Sequence, residues 1–106
     1  MLRRRFWSPE TSARSETCIL GNSPNPFNPT TEISFRLAAT GKTRIDVFSL
    51  TGQRVRKLVA RKMRVGRHTT SWNGLDSNGR HVASGVYFVR MTTMESIQTH
   101  RVLLMR

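Results

Sequence analysis

The chain has 106 residues, enough for one domain that buries a core without disulfide staples or a bound metal. Hydrophobic residues make up 37% of it, no apolar run is long enough to span a bilayer, and the single cysteine excludes an internal disulfide. The 18 basic and 6 acidic residues give a formal net charge of +12, which is typical of proteins that meet an anionic partner.

Residues 1–18 are polar, mixed in charge and without a strand or helix period, which predicts a disordered basic leader or the stub of a linker. Its arginines are not followed by an apolar segment of roughly 7–15 residues, so we expect no secretory signal peptide in this chain. From Ile19 the pattern changes to short alternating runs. We therefore predict that residues 19–106 form one domain.

A stiff loop is predicted at residues 23–29, which we call the proline bracket. Around the central Phe27 it contains Pro24, Asn25, Pro26, Asn28 and Pro29. The prolines fix φ and remove three backbone donors, so this segment cannot pair as an ordinary central strand. Each asparagine precedes a proline and is pushed towards extended or turn conformations. We predict that Phe27 is a buried plug at one end of the domain.

Alternating apolar and polar residues then predict a series of strands. The segment TEISFRLA puts Ile33, Phe35 and Leu37 on one face. TRIDVFSL repeats the pattern, with Ile45 and Val47 inward and Arg44 and Asp46 outward. In QRVRKLV the alternation slips by one residue, as a β-bulge would produce. RHTTSW alternates again, while VYFVRMT and IQTHRVLLM are partly apolar on both faces, as central strands often are.

The connections carry turn signals. Gly52 and Gly79 stand where tight turns need a positive φ, and Gly85 also falls between strands. No stretch of about 10 residues has a helical period with capping residues. Six or seven short strands separated by such turns predict an all-β, antiparallel β-sandwich.

Candidate sites of chemistry are few. We expect Trp72 and Tyr87 to be core residues rather than a binding surface, with each polar edge hydrogen-bonded. Residues 76–79 resemble the start of a calcium loop, but the required later glycine and glutamate are replaced by His81 and Tyr87, so we predict a turn. The histidines lack the spacing of zinc ligands, and no catalytic motif is present. We expect no cofactor, no metal and no enzymatic activity.

Seven basic residues and no acid occur in residues 54–67, which we call the basic segment. They are Arg54, Arg56, Lys57, Arg61, Lys62, Arg64 and Arg67. On a regular strand Arg54 and Arg56 share one face and would form a local positive surface. Three interpretations stay open: a solvated edge that discourages aggregation, attraction to an anionic cell-surface polymer or acidic translocon surface, and nucleic-acid binding. The absence of interleaved aromatic residues within this segment argues against nucleic acid.

The stretches NSPNPFNPTTEISFRL, IDVFSLTGQRVRKLV, GRHTTSWNGLDSNGRHVASGVYFVRM and HRVLLMR resemble the type A C-terminal sorting domain of type IX secretion cargo. That family is closely similar to the Ig-like domain of flagellar hook-capping proteins. Besides the proline bracket, the motif positions that carry the resemblance are Gly52, Trp72, Gly74, Gly79, Gly85 and Tyr87.

The resemblance implies a seven-stranded Ig-like sandwich at the end of a larger secreted or cell-surface protein. An outer-membrane translocon would recognise it, and a sortase-like protease would remove it. Recognition is expected at the proline bracket and the terminal strand, Arg101, Val102, Leu103, Leu104 and Arg106. Such a domain normally follows a large cargo, so we expect a C-terminal fragment, a misassigned start or a degraded gene. The alternative functions are a structural Ig-like interaction module of the hook-capping or adhesion type and, third, nucleic-acid binding.

Overall fold

The computed structural model describes residues 17–106, and this part of the chain forms seven β-strands and no helix. The strands are β1 (Cys18–Ser23), β2 (Thr31–Leu37), β3 (Gly41–Ser49), β4 (Arg54–Met63), β5 (Gly66–Trp72), β6 (Gly85–Thr92) and β7 (Ile97–Leu104). They form two antiparallel sheets with the strand orders β1-β2-β5 and β4-β3-β6-β7. The predicted Ig-like antiparallel β-sandwich of about seven strands is confirmed.

The core lies between the inward faces of the two sheets, and the predicted alternation of β2 and β3 accounts for much of it. Ile33, Phe35 and Leu37 of β2 and Ile45 and Val47 of β3 are all buried. The remaining buried apolar side chains are Phe27, Val59, Met63, Trp72, Tyr87, Val89, Met91, Val102 and Leu104. Since burying one large apolar side chain is worth about 1.5–3 kcal/mol, this shared core holds the sheets together.

The slip in the alternation of β4 is confirmed as a pair of β-bulges. Its register against β3 shifts twice, so that Leu58 and Val55 are extra residues without a partner on β3. The second shift has a consequence that regular alternation does not predict. Arg54 pairs with the outward Phe48, whereas Arg56 pairs with the buried Val47. The two arginines therefore lie on opposite faces of the strand, not on one face as expected.

β6 is a central strand as predicted, but the same prediction for β7 is wrong, because β7 is an edge of its sheet. The apolar residues on the two faces of β7 have different roles. Val102 and Leu104 are buried in the core, whereas Leu103 points outward and is 36% exposed. Leu103 is therefore part of an exposed surface on the outer face of β7, and no second layer of the described residues covers it.

The predicted tight turns are confirmed. Gly52 has φ 88° and its N–H donates to the Ser49 carbonyl oxygen at 2.9 Å. Gly79 has φ 80° and its N–H donates to the Asp76 carbonyl oxygen at 3.0 Å. Both φ values lie in the left-handed region, which glycine enters without steric cost.

The predicted leader, residues 1–18, falls largely on residues 1–16, which lie outside the described residues. Of its last two residues, Thr17 accepts a hydrogen bond on Oγ1 from the Ala38 N–H at 2.9 Å, and Cys18 begins β1. The sandwich thus starts one residue before the predicted boundary. Within residues 17–106, no helix is long and apolar enough to cross a membrane.

Candidate docking site at the C-terminal strand

The proline bracket is attached to the terminal strand through its backbone. The N–H of Phe27 donates to the Leu103 carbonyl oxygen, and the N–H of Met105 donates to the Phe27 carbonyl oxygen, both at 3.0 Å. The Leu103 N–H donates to Oδ1 of Asn25 at 3.0 Å. Unlike the prolines around it, Phe27 has a backbone N–H. It lies opposite Leu104 and forms a parallel β-bridge with it. The bracket therefore covers the free edge at the end of β7.

The side chain of Phe27 is a plug, as predicted. It is 1% exposed, and its ring centroid lies 5.4 Å from that of Trp72, which in turn lies 5.2 Å from that of Tyr87. Nε1 of Trp72 donates to the Leu75 carbonyl oxygen at 2.9 Å, and the Tyr87 hydroxyl donates to the Ala83 carbonyl oxygen at 2.6 Å. The predicted core location and polar partners of the two larger aromatic residues are confirmed. Burial raises the pKa of the Tyr87 phenol above its ordinary value, against the opposing charge of Arg106.

Arg106 is held by the loop between β5 and β6. Its Nη2 donates to the Gly74 carbonyl oxygen and its Nε to the Val82 carbonyl oxygen, both at 2.7 Å, and its N–H donates to Oγ of Ser84 at 2.9 Å. Gly74 has φ 75°, and a Cβ added there would lie 2.9 Å from Nη2 of Arg106 and 3.3 Å from the Pro29 carbonyl oxygen. The glycine is therefore required by both backbone conformation and close packing.

A groove opens beside this anchored strand on the outer face of the four-stranded sheet. It has a volume of about 410 Å³ and is lined by Asn25, Pro26, Val86, Arg101 and Leu103, together with the buried Val102. The ring of Pro26 and the side chains of Val86 and Leu103 make it largely apolar, and the exposed Arg101 adds a guanidinium group. This combination accepts an apolar side chain next to a carboxylate or carbonyl oxygen.

The basic segment is spread over several surfaces. By register, Arg54, Lys57 and Lys62 lie on the outer face of the four-stranded sheet. Arg56 instead donates from Nη1 to the Asp76 carbonyl oxygen at 2.9 Å, and Arg67 lies on β5 in the other sheet.

Arg61 pairs with the buried Thr43 on the side of β4 that faces the core, and it remains exposed at the edge of the sheet. Arg64 lies in the connection to β5. One continuous positive patch, as the sequence suggested, is therefore not formed by these seven residues.

Other residues on the outer face were not recognised from the sequence. Phe48 and Phe88 are paired neighbours on β3 and β6, and they lie in the same row as Arg54 and Arg101. The guanidinium carbon of Arg90 lies 4.2 Å from the Phe48 ring centroid. Two aromatic residues therefore lie between two cations in one row across the four strands. The sequence contained part of this information, because alternation along β3 places Phe48 on the face opposite to Val47, which is the outer face.

Residues 76–80 form a turn, as predicted. Oδ1 of Asp76 accepts the N–H groups of Asn78 and Arg80, each at 2.9 Å. These bonds, and above all the one from Arg80, hold the pKa of Asp76 below the ordinary value of 3.8 for an aspartate. In the part of the chain that the structure describes, no group of three histidine, cysteine, aspartate or glutamate side chains is arranged to hold a metal ion.

Two of the histidines make hydrogen bonds within the sandwich. Nε2 of His68 lies 2.8 Å from the Arg64 carbonyl oxygen, and Nε2 of His100 lies 3.0 Å from Oδ1 of Asn22. The His68 ring also stacks on Phe35 with the ring centroids 5.6 Å apart. These two side chains thus have structural partners on the sandwich itself.

The strand order and the anchored terminal strand define an Ig-like β-sandwich domain. A family model described as the FlgD Ig-like domain matches residues 21–96, which is more than half of the chain. The chain therefore belongs to the FlgD Ig-like domain family.

A solved structure with a similar fold is that of PorZ, described as an essential bacterial surface component of the type-IX secretion system of Porphyromonas gingivalis. The sequence identity is 24% and the TM-score 0.54, and the match covers 93% of this chain but 13% of the PorZ chain. At this identity the likeness shows the fold. No match to a curated protein was found.

Proposed function

We propose that this chain is a non-catalytic C-terminal secretion-sorting domain, part of a larger secreted or cell-surface protein, which docks to outer-membrane type IX export machinery. The observation that carries the proposal is that two sets of motif positions, the proline bracket and Gly74, hold the end of β7 and the residues that follow it. Phe27 pairs with the backbone of β7, and Gly74 holds the side chain of Arg106. The family match and the PorZ fold support the same association.

Rigidity at this strand end favours recognition. The prolines leave the bracket few conformations to lose, and the hydrogen bonds of Leu103, Met105 and Arg106 fix the position of the chain end. A partner that binds here pays little ordering entropy, which is the physical basis of preorganised docking. The exposed Leu103 and Arg101 beside the bracket supply an apolar and a charged contact in the same groove.

The partners of this role are an outer-membrane translocon and a sortase-like processing protease, with an anionic cell-surface polymer as a further candidate for the basic side chains. A structural Ig-like interaction module without a sorting role is the second candidate function, and the match to the FlgD Ig-like domain favours it. In that case the groove docks another subunit of an assembly, and the domain does not direct export.

The deciding experiment fuses the full chain behind a reporter that carries a periplasmic signal peptide, in a bacterium with type IX export. We expect the reporter in the medium or on the cell surface, and in the periplasm when the translocon is deleted. Retention in the periplasm of both strains would reject the sorting role and favour the structural module.

A matched pair of variants tests the groove. Leu103→Ser changes a groove residue that is 36% exposed, while Leu20→Ser makes the same change on β1 at a residue that is 39% exposed. We expect Leu103→Ser to lower export severalfold and Leu20→Ser to leave it near the unmodified level. Equal export by both variants would place recognition elsewhere on the domain.

A further inference from the structure

The outer face of the four-stranded sheet is strongly cationic. We define the outer face as the outward-pointing side chains of β3, β4, β6 and β7. By the strand registers it presents seven basic residues: Lys42, Arg44, Arg54, Lys57, Lys62, Arg90 and Arg101. The acid on this face is Asp46. Three of the seven belong to the basic segment, and the other four come from β3, β6 and β7.

Asp46 offsets one of these seven positive charges, and its side chain is internal to the surface, so it presents little carboxylate to a partner. Its alternation is outward as predicted, yet the side chain is 5% exposed. Oδ2 lies 2.9 Å from Nε of Arg44, and Oδ1 lies 3.7 Å from Nη1 of Arg54. Both arginine side chains remain 48% exposed. The carboxylate thus orients two guanidinium groups from below, and the surface above it stays positive.

Four of the cations form a diagonal across the sheet, namely Arg101, Arg90, Arg44 and Lys62. Each step crosses one strand and advances two residues, because Arg101 pairs with Phe88, Arg90 with Asp46 and Arg44 with Ala60. With strands about 4.8 Å apart and about 6.8 Å per two residues, one step is about 8 Å and the diagonal about 25 Å. Same-side residues of an extended peptide repeat about every 6.8 Å, within the reach of long arginine and lysine side chains.

Arg90 shows which kind of anion fits this diagonal. Its guanidinium covers the Phe48 ring at 4.2 Å, so that ring face is not open for stacking a nucleic-acid base. A guanidinium restrained on an aromatic ring is well suited to bind a carboxylate with two parallel hydrogen bonds. The Arg101 end of the diagonal opens into the groove with Pro26, Val86 and Leu103, which suits an apolar amino-acid side chain.

We propose that the outer face binds an extended acidic segment of another protein, with aspartates or glutamates at alternate positions along the Arg101–Lys62 diagonal and an apolar residue in the groove. The charge complementarity and the apolar groove at one end of the diagonal together support this occupant over a nucleic acid. The inference goes beyond the proposed sorting role, because it holds for any assembly in which the domain takes part.

The test measures fluorescence anisotropy of the full chain with a labelled synthetic peptide that has one leucine followed by four aspartates at alternate positions, separated by serines. At about 100 mM salt, where charges beyond about 10 Å are screened, we expect saturable binding. Replacing the aspartates by asparagines should abolish binding, and replacing the leucine by serine should weaken it severalfold. An unchanged affinity for the serine peptide would overturn the role of the groove.

Matched charge reversals test the diagonal. Lys62→Glu with Arg101→Glu changes both ends of the diagonal, while Arg61→Glu with Arg67→Glu makes the same net charge change on other surfaces. We expect the first pair to weaken peptide binding at least about tenfold and the second pair less than about threefold. An equal loss of peptide affinity in the two double variants would show that the attraction depends on net charge alone, and it would overturn the proposal.

Two controls keep the result interpretable. If the charge reversal at Lys62 and Arg101 lowers the urea midpoint, the double variant Lys62→Gln with Arg101→Gln is measured in its place. This neutral variant should still weaken peptide binding about threefold or more. A single-stranded thymidine oligonucleotide with four phosphates is the competing probe. Binding of this oligonucleotide as tight as that of the peptide would overturn the proposal in favour of nucleic acid, whereas weaker binding supports an acidic protein segment.

Discussion

Replacing Phe27 by alanine should destabilise the domain by about 3–5 kcal/mol, which is the usual cost of removing a buried phenylalanine ring. The ring is 1% exposed and packs on Trp72 with the centroids 5.4 Å apart. The aromatic pair itself contributes about 0.5–1.5 kcal/mol of the loss, and the remainder is lost burial and the cavity that the ring leaves. The bridge to Leu104 uses the backbone of residue 27, so the variant keeps those hydrogen bonds.

The assay is urea unfolding followed by tryptophan fluorescence, with circular dichroism as a second probe of two-state behaviour. With a urea dependence of about 2 kcal/mol per molar, the midpoint should fall by about 2 M. Phe88→Ala is the matched control, because it removes the same ring from the partly exposed outer face, and we expect it to cost about 1 kcal/mol. A loss below about 1 kcal/mol for Phe27→Ala, or equal losses for the two variants, would refute the plug.

Three further predictions concern the chain end and the turn. Gly74→Ala should cost about 1–3 kcal/mol in urea unfolding, because φ is 75° and the new Cβ would meet Nη2 of Arg106 at 2.9 Å. Arg106→Ala should lower the free energy of unfolding less in the Gly74→Ala variant than in the unmodified chain. Additive losses would contradict the contact between residue 74 and Arg106. Because its folded pKa is lowered, Asp76 stabilises the fold above pH 3.8 and loses this contribution as the pH falls below that value. Asp76→Asn should therefore flatten the dependence of the urea midpoint on pH below 3.8. The same pH dependence in the variant and the unmodified chain would show that Asp76 does not contribute to it.

Features that depend on neighbours along the chain could be predicted from the sequence. Alternation placed Ile33, Phe35 and Leu37 in the core, because the side-chain period of a strand is set by its own backbone. The turn at Gly52 and the stiffness of the proline bracket follow from local φ restrictions. The plug role of Phe27 could be predicted for the same reason, because Phe27 is the one aromatic residue in a segment that the prolines keep from ordinary strand pairing.

Features that depend on which strands are neighbours required the tertiary structure. Arg54 and Arg56 lie on opposite faces because a bulge is defined by the count of residues on both paired strands. Asp46 is buried on an outward face because Arg44 and Arg54, which the register of β3 and β4 brings beside it, fold over it.

The diagonal from Arg101 to Lys62 exists only in the strand order β4-β3-β6-β7, which brings together charges from different hairpins. Composition determined how much positive charge the chain carries. Strand pairing alone decided which of those charges lie side by side, because the backbone hydrogen bonds that set the register join residues far apart in the sequence.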